Sequence, residues 1–130
     1  MRTIILDGER FGDIPSFYEE INRLFMSTAD WKLGQTLDGF HDLLYGGIGV
    51  LEPRERFRLV WLHTSKSRED LGFDATLEYY QNKLQQPQTF NVQWVEEKIA
   101  NLENGSGPTY FEILVEIIES HENVYFSPYD

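Results

Sequence analysis

Three short apolar runs divide the sequence, and no two of them follow one another without a helical pattern between. Thr3-Ile4-Ile5-Leu6-Asp7 is apolar and β-branched and stops at Gly8, which reads as a buried strand. Arg56-Phe57-Arg58-Leu59-Val60-Trp61-Leu62 alternates and then becomes wholly apolar, as a central strand with a charged start would. Asn123-Val124-Tyr125-Phe126 reads as a last strand. Strands joined through helices pair side by side and parallel, with the helices as cover. The expected architecture is therefore α/β: a small, three-stranded, mainly parallel sheet packed with helices. At 130 residues the chain suffices for one domain with a real core, spanning 1–130, and is too short for two.

The helical patterns carry their own start and stop signals. Asp13-Ile14-Pro15-Ser16 opens the first. Ser16 with Glu19 three residues on reads as a capping box, in which hydroxyl and carboxylate each satisfy a free backbone N–H. Phe17, Ile21, Leu24 and Phe25 then form a core-facing stripe. After a connector containing Trp31 and closed by Gly34, Thr36 can cap a short helix with Leu37, Phe40 and Leu44 on one face. Gly46, Gly47 and Gly49 end it. Two further patterns, roughly Asp74 to Gln86 and Asn91 to Glu103, are separated by Pro87. Leu77, Tyr80 and Leu84 mark a face of one, and Val95, Ile99 and Leu102 a face of the other. Asn104 to Pro108 is a break. Thr109 and Glu112 make a second capping box, ahead of a stripe of Phe111, Leu114, Val115 and Ile118.

Charge narrows the function. The formal net charge is −11, which repels DNA, RNA and anionic lipid, since such binding depends on Lys and Arg neutralising phosphates. A basic protein partner is the natural counterpart, with solubility alone as the plain alternative. Cysteine is absent, which removes disulfides and thiolate metal sites and suits a reducing compartment. The N-terminal residues form no apolar signal core and no stretch reaches the length of a membrane helix, so a cytoplasmic location is expected.

The acidic charge is most telling on the helix after Thr36. Asp38 and Asp42 fall at i and i+4 on its polar face with His41 beside them, and no Lys or Arg occurs between Leu33 and Pro53. Two like charges one turn apart cost a helix a few tenths of a kcal/mol, about 0.2–0.5. The helix dipole accounts for Asp38 in the first turn but less well for Asp42, past the middle. A surface that keeps both suits Arg, Lys or His of a partner. Trp31 and Tyr45 flank this helix, either as interface anchors or as core residues.

Other chemistries find little support. Asp38, His41 and Asp42 could touch one ion, but catalytic zinc sites draw on His-rich sets, and His63 and His121 are remote in sequence with no ligand motif around them. Adjacent turns of one helix do not place two carboxylates on opposite faces of a sugar. The Gly46-Gly47-Ile48-Gly49 run follows a helix and matches no phosphate-binding pattern, and no GxSxG occurs. No enzyme activity, metal or cofactor is expected.

Four segments also resemble a known family. They are Ile5-Leu6-Asp7-Gly8-Glu9 with the Phe17-Tyr18 helix; Gly34-Gln35-Thr36-Leu37-Asp38-Gly39-Phe40-His41-Asp42-Leu43-Leu44, close to a G-x-N-L-D-A-L-x-D-x-L pattern; Phe57 to Trp61; and Phe111 to Phe126. Together they cover about two-thirds of the chain and resemble the barstar family, intracellular inhibitors of barnase-like ribonucleases. The segment from about 74 to 107 is then a helical insertion before the last helix and strand, as in the longer branch of that family. That branch also carries endings like Gly46-Gly47-Ile48-Gly49 and a stretch like Trp61, Ser67 and Leu71.

The resemblance implies a barstar-like fold and a mechanism in which an acidic helix and its preceding loop block the nuclease active site. Its carboxylates stand in for substrate phosphates. By motif, Asp42 matches the dominant inhibitory aspartate, Asp38 a supporting one, and Glu116 a glutamate on the late helix. The implied contact set is Trp31, Gly34, Thr36, Asp38, His41, Asp42, Tyr45 and Glu116. Thr36 replaces a usual Asn, Gly39 a small helix former and His41 an aromatic residue, while Lys32 stands where an aromatic contact is expected, with Trp31 one position off. Such rim changes bear on which nuclease is chosen. The alternative is a barstar-like immunity or binding module that neutralises a basic toxin of another activity.

Overall fold

The computed structural model describes residues 1–130. Strand β1 (Arg2–Asp7) leads through a single 3-10 turn (Gly8–Arg10) to helix α1 (Ile14–Phe25) and then α2 (Leu37–Leu44). Strand β2 (Phe57–Leu62) is followed by four helices, α3 (Thr64–Asp70), α4 (Phe73–Leu84), α5 (Val92–Glu103) and α6 (Tyr110–Glu119), and by strand β3 (Val124–Pro128). The sheet is wholly parallel in the order β1-β2-β3, with Leu6 level with Trp61 and Leu59 level with Phe126. The α/β architecture expected from the spacing of the apolar runs is the one observed. No helix is long and apolar enough to cross a membrane.

Only one face of the sheet is packed. Ile4 and Leu6 of β1 and Phe57, Leu59 and Trp61 of β2 point into a core completed by Phe17, Ile21 and Phe25 of α1, Phe40, Leu43 and Leu44 of α2, and Phe111, Leu114 and Ile118 of α6. The opposite face carries Thr3, Ile5, Arg58 and Tyr125, all exposed. The reading of β1 as a buried strand is corrected accordingly: Ile5 is 50% exposed. Its apolar run is continuous although its burial alternates, because the helices cover one side alone.

The caps explain most boundaries, with one correction. Asp13, not Ser16, is the N-cap of α1. Asp13 Oδ1 accepts the Ser16 backbone N–H at 2.8 Å, and Ser16 Oγ accepts the Asp13 N–H at 3.1 Å, so the box closes one turn earlier with Ser16 at its far end. The Thr109 and Glu112 box forms as expected, and Asn91 caps α5. Helix α3 carries no apolar stripe and was not expected; Ser67, its one fully buried side chain, accepts a hydrogen bond from Trp61 Nε1 at 3.0 Å.

The 74–107 segment is a helical hairpin of α4 against α5, tied to the rest of the domain by polar contacts as well as apolar ones. Buried Thr76 of the hairpin accepts the Tyr110 N–H at 2.7 Å, and Tyr110 of α6 is itself joined to α1 through its hydroxyl, 2.6 Å from that of Tyr18 in the core. The tie at Thr76 fixes where α6 begins, and α6 in turn packs against α2.

Candidate functional site

Helix α2 is held at both ends by contacts the sequence can be seen to supply. On the approach, Asn22 of α1 clamps the backbone of Leu33: its amide donates to the Leu33 carbonyl at 3.1 Å and accepts the Leu33 N–H at 2.7 Å. Thr36 then caps the helix, its hydroxyl accepting the Gly39 N–H at 3.0 Å. Gly39 sits tightly under that cap. A Cβ there would lie 2.9 Å from Thr36 Oγ1 and 3.4 Å from Leu33 Cδ1, so the helix-weakening glycine is what allows the cap and loop to close. Thr36→Ala is expected to cost about 1 kcal/mol of stability, within the usual range for a lost N-cap, read as a shift in the urea midpoint. An unshifted midpoint would show that the cap contributes nothing.

The exit is equally fixed. Asn123 Nδ2 donates to the carbonyls of Leu44 and Glu55, both at 2.9 Å, joining the C-terminal turn of α2 to the chain entering β2. Gly46 and Gly49 take left-handed backbones, φ +84° and +63°. A Cβ at Gly49 would fall 2.0 Å from the Phe25 carbonyl oxygen, which accepts the Val50 N–H at 2.8 Å.

This clamping presents a divided helix. Phe40, Leu43 and Leu44 are buried, while Asp38 and Asp42 are exposed. Neither aspartate takes part in any ion pair of the chain or in a side-chain hydrogen bond. Lys83 on α4 lies near enough to feel the Asp38 charge, but it forms no ion pair, and its ammonium sits over two aromatic rings. Its Nζ lies 4.2 Å from the ring centre of Phe90 and 4.7 Å from that of Tyr79. Burial pushes the Lys83 pKa below its ordinary value, and the nearby Asp38 charge offsets part of that. The acidic face thus carries no ion pair within the chain.

His41 turns inward rather than joining the aspartates. Its Nδ1 stands 3.0 Å from His121 Nε2 and its Nε2 is 3.3 Å from the Tyr45 hydroxyl. The Tyr45 ring lies edge-on over His121 with centres 4.4 Å apart. Asp38, His41 and Asp42 do not converge as metal ligands. His121, only 4% exposed and eighty positions from His41, is the residue that sequence reasoning set aside, and no local motif marks it.

Burial first, and the neighbouring His41 second, hold the His121 pKa below its ordinary value of 6.5. The unfolded chain therefore takes up this proton at a higher pH than the folded one. The stability it contributes is full above about pH 6.5 and is lost as the pH falls through the folded pKa. Urea unfolding at about pH 7.5 and about pH 5.5 should show a drop in midpoint that His121→Gln makes smaller. Equal drops in the two proteins would assign the acid sensitivity to other groups.

The remaining candidates divide. Trp31 is 52% exposed and Tyr45 51% exposed, so both are available as contact residues rather than core. Gly34 is exposed, and a Cβ there would meet nothing within 4 Å, so its backbone surroundings do not demand glycine. Glu116 is exposed on α6 but lines a groove with Thr64, Arg68, Phe111 and Phe126, on the side facing α3 and β3. The helices α2 and α6 do pack together, so the helix that carries Glu116 lies beside the one that carries Asp38 and Asp42.

Fold and site together define a class: a two-layer α/β domain that displays a rigid acidic helix flanked by exposed aromatic residues. The chain matches no family model, no curated protein and no solved structure.

Proposed function

We propose that this protein is an inhibitor that blocks the active site of a basic, barnase-like ribonuclease with helix α2 and the loop before it. The observation that carries the reading is the unpaired, exposed couple Asp38 and Asp42 on a helix clamped at both ends. A pre-positioned carboxylate pair meets Arg, Lys or His of a partner without paying to order the helix first. Asp42 is the principal contact and Asp38 the supporting one, with exposed Trp31 in the preceding loop and exposed Tyr45 at the C-cap as aromatic anchors. The resemblance of residues 34–44 to the barstar inhibitory segment supports the choice of a ribonuclease as the partner. The net charge of −11 favours fast encounter with a basic protein.

Calorimetry of the chain against a catalytically inactive barnase-like ribonuclease tests the reading. Tight one-to-one binding that weakens steeply with added salt is the expected result. Absence of binding to any such ribonuclease, together with binding to a basic toxin of another activity, would move the same surface to that second partner class.

A further inference from the structure

We propose a divalent metal site of the zinc class at the carboxyl-terminal rim of the sheet, formed by Asp7, Glu9 and His63. It is independent of the inhibitor reading and uses no residue of α2. Asp7 ends β1, Glu9 lies in the 3-10 turn that follows, and His63 is the first residue after β2. Because β1 and β2 are parallel neighbours with Asp7 level with Leu62, both strands deliver these residues to the same rim.

Their ligand atoms converge. His63 Nε2 lies 2.8 Å from Glu9 Oε1 and 3.9 Å from Asp7 Oδ1, and all three donors fall within 4.8 Å of one another. Ligand atoms around a tetrahedral zinc at its usual bond lengths stand about 3.3 Å apart, between these two separations. Side-chain adjustment alone would seat an ion. One imidazole and two carboxylates suit zinc, with water in the fourth position, and the imidazole disfavours magnesium and calcium. No Lys or Arg pairs with either carboxylate.

The backbone around the cluster is unusually constrained. Gly8, between the two carboxylates, abuts the junction of β2 and α3: a Cβ there would lie 2.5 Å from Ser67 Oγ, 2.8 Å from the Leu62 carbonyl oxygen and 2.9 Å from that of His63. Lys66 Nζ donates to the carbonyls of Gly8 at 3.0 Å and Phe11 at 2.8 Å, fastening the 3-10 turn to α3. The Asp7 carboxylate is oriented by the Glu9 N–H, at 2.9 Å from Oδ1. The three ligands thus come from pieces already locked together, which lowers the ordering cost of binding. On binding, a neutral His63 presents the Nε2 lone pair to the ion, and an imidazolium first releases its proton to solvent.

The experiment is titration of the chelator-treated full chain with zinc chloride, by calorimetry and by thermal unfolding. One ion should bind per chain and raise the melting temperature saturably, because it binds the folded state. Glu9→Gln should weaken zinc binding on the order of tenfold or more, and His63→Gly should abolish it. Glycine is chosen because His63 has φ +59°, a backbone that glycine adopts freely, so the variant should still fold. Circular dichroism of each variant would confirm that. No saturable binding at submillimolar zinc would overturn the proposal. So would binding that survives both variants but disappears in His121→Gln, since the ion would then sit on the His41 and His121 pair.

Discussion

Asp42→Ala is expected to weaken the proposed complex with a barnase-like ribonuclease by roughly 30-fold to several thousandfold, the span for truncating one partner of a desolvated charge pair. Asp42 is exposed in the free chain and has no cation to lose within it. The whole penalty should therefore fall on the complex, where a partner cation is left buried and unpaired. In the free protein the same change should be neutral or slightly stabilising, because it removes the like-charge pair with Asp38 one turn away. Asp38→Ala should lose less affinity, and Glu103→Ala at the far end of α5 should change it little. Calorimetry of the three variants, with a urea melt of each, reads both quantities. Equal and small losses across all three would sink the assignment of α2 as the contact.

Much of this arrangement was legible because it is local. The three strands announce themselves as apolar runs, and their separation by helices dictates a parallel sheet. Thr36, Asn91 and Thr109 cap the helices their neighbours suggest. The error at Ser16 is instructive: Asp13 and Ser16 stand three apart, as do Ser16 and Glu19, and only the backbone conformation decides which pair closes. Asp13 is extended, φ −152° and ψ 178°, and so precedes the helix. Helix α3 was missed because Ser67 is buried to meet Trp61 rather than as part of an apolar stripe.

Contacts made by tertiary pairing were out of reach. His121 against His41, and Asp7 and Glu9 against His63, join distant positions that carry no shared motif. The placement of Glu116 depends on how α6 is rotated about its axis. Spacing fixes which residues share a face of α6, but not which neighbour that face meets. The open face of the sheet is a property of where the helices stack, which a continuous apolar run cannot encode.

Trp61→Ala should be the most damaging core substitution. Trp61 lies in the central strand and is 0% exposed. Its ring centre is 5.2 Å from that of Phe111, 6.0 Å from Phe17, 6.3 Å from Phe11 and 6.4 Å from Phe126. Its ring therefore links β3 with α1, α6 and the residue that follows the 3-10 turn. Truncating a buried Trp costs about 3–5 kcal/mol, from lost transfer free energy and the cavity left behind. That is a fifth or more of the net stability of a typical small domain, about 5–15 kcal/mol. Trp61→Phe keeps most of the packing and loses the donor to Ser67, so it should cost less, about 1–3 kcal/mol. Urea unfolding should show both as lower midpoints with an unchanged slope, and a loss below about 1 kcal/mol for Trp61→Ala would contradict this account of the core.

The consequence reaches the acidic helix through one ring. Phe17, stacked on Trp61, is edge-on to Phe40 at 5.7 Å, and Phe40 anchors the inner face of α2. Trp61→Ala should therefore reduce partner affinity only as far as it loosens or unfolds α2, and saturating partner should recover stability in proportion to its binding. Asp42→Ala should do the reverse, leaving the fold intact while the partner is lost. The two variants separate the residue that holds the helix in place from the residue proposed to meet the partner.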